Sequence, residues 1–205
     1  MQGLKEKKEQ AVWIARSLFE RGKTSGTTAN ISFRDGDSLW ISRSGSCFGL
    51  LTEDDFVECS LSGAPLDADK KPSKEAPLHA VMYGIGEEMI QAVIHTHSPY
   101  AVIWSCLDSC SGRDVIPRYT PYLDMKAGKV AAVPYAPPGS PELFGLMREY
   151  AGSERAYLLA NHGPIVGGLS LMNAFEAIEE LEQSAFLAWN FAEYEKITGR
   201  EGRSI

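Results

Sequence analysis

The sequence predicts an α/β chain folded as a three-layer α/β/α sandwich with a mainly antiparallel central sheet. Three observations lead there: helical apolar periodicity at both ends, a series of short β-like runs between them, and no internal repeat or low-complexity linker. With 205 residues the chain can bury one sizeable core, and residues 1–205 are read as a single domain.

The elements follow in order. Between residues 5 and 21, Val12, Ala15, Leu18 and Phe19 recur at helical spacing, and Gly22 stands where a helix C-cap belongs. Residues 31–34 and 38–42 are β-like runs separated by Asp35-Gly36-Asp37, a hairpin signature. Thr52 and Asp55 have capping-box spacing and open a very short helix before a further β-like run over 56–60. A helix is predicted from Ser73 as N-cap to about Gly84, with Pro77 early enough to be tolerated. A strand over 91–97 and a helix over 100–107 come next. Residues 117–138, rich in Pro, Tyr and Gly, read as irregular with one or two short strands. Ser140 opens a helix to about Tyr150, residues 156–160 form a buried strand, and Asn161-His162-Gly163-Pro164 turns out of it. A last helix over 171–197 carries Phe175, Ile178, Leu181, Ala185, Trp189 and Ala192 on one stripe and ends at Gly199.

Composition narrows the function. Net charge is −7, from 27 acids against 20 bases, which argues against a general nucleic-acid binder. No run is apolar enough to span a bilayer, so no membrane partner is expected. The mixed-charge start, Met1 to Gln10, lacks the apolar centre of a secretory signal, and a cytoplasmic protein is expected. Cys47, Cys59, Cys106 and Cys110 show no C-x-x-C spacing and read as reduced thiols. Gly22-Lys23-Thr24 is no P-loop, because Ser17 stands where glycine is required. Gly84-Ile85-Gly86 is followed by Met89 rather than the third glycine of a dinucleotide motif.

The chemistry concentrates in four histidines. His95 and His97 bracket one residue, so on a strand they share a face, about 7 Å apart at Cα. His162, just past a second buried strand, is placed to add a third nitrogen, and three protein ligands with an open position is the pattern of a catalytic Zn²⁺ site. The alternative is that these are core or surface histidines sharing nothing. His79 lies inside a helix and reads as structural. Glu75, in the first turn of its helix, is read locally as helix-start chemistry; near a metal it would be able to move protons. Small polar turns at 25–30, at Ser44-Gly45-Ser46 and at Ser73-Lys74 would seat one phosphate group, with Lys74 adding charge.

The order of these motifs carries a resemblance. Gly26-Thr27-Thr28-Ala29-Asn30-Ile31-Ser32, Ser44-Gly45, Lys71-Pro72-Ser73-Lys74-Glu75, His95-Thr96-His97 and Asn161-His162-Gly163-Pro164 together resemble the class II aldolase and adducin N-terminal family over about residues 10–195. Within it the chain looks most like the 3-oxo-tetronate 4-phosphate decarboxylases, through Ser44-Gly45-Ser46-Cys47, Tyr119-Thr120-Pro121-Tyr122, Val133-Pro134-Tyr135 and Leu158 to Pro164. The resemblance implies a homotetramer, with Zn²⁺ or another divalent transition metal on His95, His97 and His162. It implies Glu75 as acid/base residue and as a further metal ligand before substrate binds, and a substrate phosphate held by Asn30, Ser44, Gly45 and Ser73. The implied reaction is decarboxylation of a phosphorylated sugar acid to dihydroxyacetone phosphate and carbon dioxide through a zinc-stabilised enediolate. A sugar-phosphate aldolase or 4-epimerase on the same scaffold is the alternative, followed by a non-catalytic adducin-like interaction module. Ala29 and Lys74 depart from the Gly and Ser of many family aldolases.

Overall fold

The computed structural model describes residues 3–85 and 90–202. Gly86 and Met89, named above against a dinucleotide motif, lie outside the described residues. Among the described residues, seven strands form one sheet in the order β3-β2-β1-β4-β7-β6-β5. They are β1 Asn30–Asp35, β2 Ser38–Ser42, β3 Phe56–Ser60, β4 Ala92–His95, β5 Val130–Val133, β6 Ala156–Leu159 and β7 Gly163–Gly168. Of the pairings, β5 with β6 is parallel and the rest are antiparallel, as the sequence predicted for the sheet as a whole.

Strand alternation sends successive side chains into two separate cores. In β4, Ala92 and Ile94 join one core and Val93 the other; in β6, Ala156 and Leu158 oppose Tyr157 and Leu159. The first core is closed by α1 (Leu4–Glu20), α3 (Pro99–Ser105), α4 (Tyr122–Lys126) and α6 (Leu171–Thr198). The second is closed by α2 (Ala76–Tyr83) and α5 (Pro141–Tyr150). This is the three-layer α/β/α sandwich.

Several elements differ from expectation for identifiable reasons. The buried face of α1 is Ala11, Ile14, Ala15 and Leu18, while Val12 and Phe19 are half-buried flanks. Along α6 the buried face runs through Ala174, Ala177, Ile178, Leu181, Ala185 and Ala188; Phe175 and Trp189 sit at its edge and Ala192 is exposed. Small residues let this long helix lie close to the sheet. The helix predicted from Ser73 begins at Ala76, with Glu75 in the cap position, because a tight turn closed by the Ala76 N–H on the Ser73 carbonyl (3.0 Å) precedes it. The strand predicted to reach His97 stops at His95. Its next partner on β7 is Pro164, whose carbonyl still accepts from the Thr96 N–H (3.3 Å) but which has no N–H to return, so the regular ladder ends there.

Among the described residues, a one-turn 3-10 helix at Phe48–Leu50, one further helix and one strand were not expected. α4 forms within the stretch read as irregular. β7 was hidden by its composition, since Gly163, Pro164, Gly167 and Gly168 are poor strand formers. The glycines answer a steric demand: a Cβ on Gly168 would lie 2.3 Å from the Ala174 backbone nitrogen, where α6 crosses the sheet.

Candidate metal centre and cleft

The centre is assembled from three connections. His95 is the last residue of β4, His97 follows two residues later in extended chain, and His162 occupies the turn joining β6 to β7. That turn is tight: Asn161 adopts φ 54°, which Asn tolerates better than most residues. Gly163 is held so close to the preceding loop that a Cβ there would meet the Thr96 carbonyl oxygen at 2.6 Å. His97 and His162 are thereby brought together by backbone contact.

The three rings pack edge to face, with centroids 4.6 to 5.1 Å apart. One candidate ligand nitrogen from each lies within 4.8 Å of the others. His95 Nδ1 is 2.8 Å from the Pro164 carbonyl, an acceptor only, so that nitrogen carries the proton and Nε2 presents a lone pair. His95 Nε2 and His162 Nε2 are 3.2 Å apart, close to the roughly 3.3 Å separation of two nitrogens on one tetrahedral ion at ordinary Zn–N lengths. His97 Nε2 is buried with no hydrogen-bond partner. A divalent ion would satisfy all three nitrogens, so the residues present fit such an ion.

Electrostatics agree with that. Burial, aided by His97, pushes His95 down to about 3 against the opposing Pro164 carbonyl. Burial and then His95 push His162 to about 3, with Glu75 opposing. Burial also lowers His97, again against Glu75. The rings are therefore neutral near pH 7, the form that ligates metal.

Glu75, at the start of α2, completes the constellation. Its carboxylate is 3.5 Å from His95 Nε2 and 3.6 Å from His162 Nε2. With neutral rings these contacts are the approach of a fourth donor to a common point and not ion pairs. Asn30 Nδ2 donates to Glu75 Oε2 at 2.9 Å.

A cleft of about 410 Å³ opens in front, lined by Asn30, Ser44, Gly45, Ser73, Glu75, His97 and His162 among others. His95 lies behind it, fully buried. Every residue assigned from the sequence is therefore at or directly behind one cleft. Ser44 has committed its backbone N–H to the Lys71 carbonyl, leaving its hydroxyl for a ligand. Ser73 Oγ accepts from the Glu75 N–H, and its own O–H remains to donate. Asn30 is more occupied than expected, since Glu75 and His79 both engage its amide.

Sequence reasoning missed Arg43, which lines the cleft beside Lys74 and is bonded through Nε to Asp55. Its position directly before Ser44-Gly45 was the available signal. It also missed the coupling of Asn30 to His79, whose signal was the four-residue spacing of Glu75 and His79 on one helix face. Among the described residues, no helix is long and apolar enough to cross a membrane.

Comparison with known proteins agrees with this architecture. Residues 9–189 match the class II aldolase and adducin N-terminal domain. A 3-oxo-tetronate 4-phosphate decarboxylase from Haemophilus influenzae is 39% identical over 181 residues, 88% of this chain and 85% of that one. An L-fuculose phosphate aldolase from Methanococcus maripaludis is 34% identical over 174 residues, 85% of this chain and 91% of that one. The crystal structure of YgbL from Klebsiella pneumoniae superposes with a TM-score of 0.89 at 34% identity, covering 100% of this chain and 95% of its own.

Proposed function

This chain belongs to the class II aldolase and adducin N-terminal family, and on that premise we propose that it is a metal-dependent lyase that decarboxylates a 3-oxo-tetronate 4-phosphate to dihydroxyacetone phosphate. The observation that carries the reading is the convergence of three neutral imidazoles and the Glu75 carboxylate at the floor of one polar cleft. The choice of substrate is supported by the curated decarboxylases at 35% to 39% identity, against 32% to 34% for the fuculose phosphate aldolases.

The reaction sets the requirements. Losing carbon dioxide breaks the bond between the carboxylate and C2, and the electron pair must move toward the C3 carbonyl. A Zn²⁺ or similar divalent ion, held by His95, His97 and His162 with Glu75 as a further ligand before substrate arrives, would supply positive charge to stabilise that developing oxyanion. The remaining work falls to the chain. After carbon dioxide departs, a proton drawn from solvent reaches C2 through Glu75 or through a water it positions. The hydroxyls of Ser44 and Ser73, the turn at Gly45 and the remaining N–H of the Asn30 amide take the phosphate, which fixes C2 in front of Glu75. Lys74, exposed at the rim, offsets phosphate charge.

An aldolase would reach the same electron-rich C2 by losing an aldehyde, and the relatives include aldolases, so that is the second reading. Purified metal-loaded protein offered 3-oxo-tetronate 4-phosphate and L-fuculose 1-phosphate separates them. Release of carbon dioxide from the first alone is expected; consumption of the second alone would sink the decarboxylase assignment. Family membership also carries the expectation of a homotetramer, and a cytoplasmic location is expected as well; sedimentation and cell fractionation test the two.

A further inference from the structure

Behind the cleft runs a hydrogen-bonded chain whose inner members, His79, Ser32 and Tyr83, have no part in the proposed mechanism. Ser32 Oγ is 2.7 Å from Tyr83 Oη and 2.7 Å from His79 Nδ1, His79 Nε2 meets Asn30 Oδ1, and Asn30 Nδ2 reaches Glu75 Oε2. All five side chains are buried, Ser32 and His79 completely. The strand β1 supplies Asn30 and Ser32, and α2 supplies His79 and Tyr83, so the chain stitches the helix to the sheet immediately beneath Glu75.

Its direction is determined by chemistry. A carboxylate accepts, so Asn30 must turn its amide nitrogen to Glu75 and its oxygen to His79. An amide oxygen cannot donate, so His79 must carry its proton on Nε2 and leave Nδ1 bare. Ser32 then donates to His79 Nδ1, and Tyr83 donates to Ser32. Each group donates to the next, and the sequence of bonds ends on the carboxylate. Turning the Asn30 amide over would set oxygen against oxygen at Glu75 and would require the other His79 tautomer.

We infer that His79 is a positioning residue: through its Nε2 proton it holds the Asn30 amide in the one orientation that aims the Glu75 carboxylate at the cleft. The inference rests on the proton-transfer role proposed for Glu75. Burial, the dominant cause, together with His95, lowers the basicity of His79, in keeping with a neutral ring of fixed tautomer.

Two substitutions distinguish the two ends of the ring. In His79→Gln the side-chain amide reaches the Nε2 position and can donate to Asn30; in His79→Asn it reaches only the Nδ1 position beside Ser32. Expected for His79→Asn is a fall in kcat of about 10- to 100-fold, some rise in KM because the phosphate-facing Asn30 amide shifts too, and bound metal within about twofold of wild type. His79→Gln should stay within about threefold of wild type in kcat. Equal rates for His79→Asn and wild type, or equal losses in both variants, would overturn the inference. Nitrogen-15 NMR of histidine-labelled wild-type protein, with His79 assigned by its absence from the His79→Gln spectrum or from the pattern of the remaining rings, provides a test independent of turnover. A proton on Nε2 is expected, and a proton on Nδ1 is fatal whatever the kinetics. Wild-type protein inert toward the 3-oxo acid would overturn the proposed function, while the tautomer would still decide the network.

Discussion

Glu75→Gln gives the sharpest test of the proposed chemistry, because it changes charge and proton capacity with almost no change in shape. In the structure Glu75 Oε2 accepts from Asn30 at 2.9 Å and Oε1 stands 3.6 Å from His162 Nε2. A glutamine keeping the Asn30 bond with its oxygen would turn an amide N–H₂ toward His162, putting a donor where a ligand oxygen stood. Folding should be unharmed: the residue is 7% exposed, and glutamine keeps the shape and the Asn30 bond while removing a charge that burial disfavours. Proton transfer by a positioned group is worth about 10²- to 10⁴-fold, or roughly 2.7 to 5.4 kcal/mol of barrier. The expected result is an unchanged or raised Tm, weakened metal binding, and kcat reduced about 10²- to 10⁴-fold. Coupled assay of dihydroxyacetone phosphate, run beside elemental analysis of the same sample, reads all of it. A folded Glu75→Gln protein with kcat within about threefold of wild type would remove Glu75 from proton transfer.

Other outcomes follow from the same geometry. His97→Ala should lose stoichiometric metal and activity together, because its Nε2 has no other partner; retained metal by elemental analysis would refute its ligand role. Glu182, buried on α6, accepts from the N–H groups of Tyr100 at 3.2 Å and Ala101 at 2.8 Å at the start of α3. Glu182→Ala should cost about 2–4 kcal/mol and lower Tm by about 4–16 °C in a thermal melt; an unchanged melt would refute the capping role. Burial, with a smaller contribution from Glu58, pushes the Cys59 thiol up to about 11. At pH 8 only about one in a thousand such groups is thiolate. Iodoacetamide should therefore modify exposed Cys106 while Cys59 resists until the protein is unfolded, as peptide mass mapping would show.

What could be read from the sequence follows the range of the interactions involved. The 38–42 and 56–60 runs and the Ser140 helix were legible because alternation and capping are written locally. The His95 and His97 pair was legible for the same reason, as was the short segment holding Glu75. β7 was not, because its glycines and Pro164 respond to α6 and β4, which lie elsewhere in the chain. Spacing suggested that His162 would join the other histidines, but the close approach that brings it there depends on Gly163 meeting Thr96, a contact between loops 67 residues apart. The dual engagement of Asn30 was illegible in the same way: it belongs to β1, while its partners are Glu75, which caps α2, and His79 within α2.

The bare Gly163 has a practical corollary. Since peptide groups touch directly at that junction, the interval between two of the three imidazoles is dictated by main-chain packing and owes nothing to the residues around the mouth of the cleft. Lys74, Ser44 and their neighbours at the rim are therefore open to redesign for differently shaped sugar acids, while the ion seat keeps its dimensions.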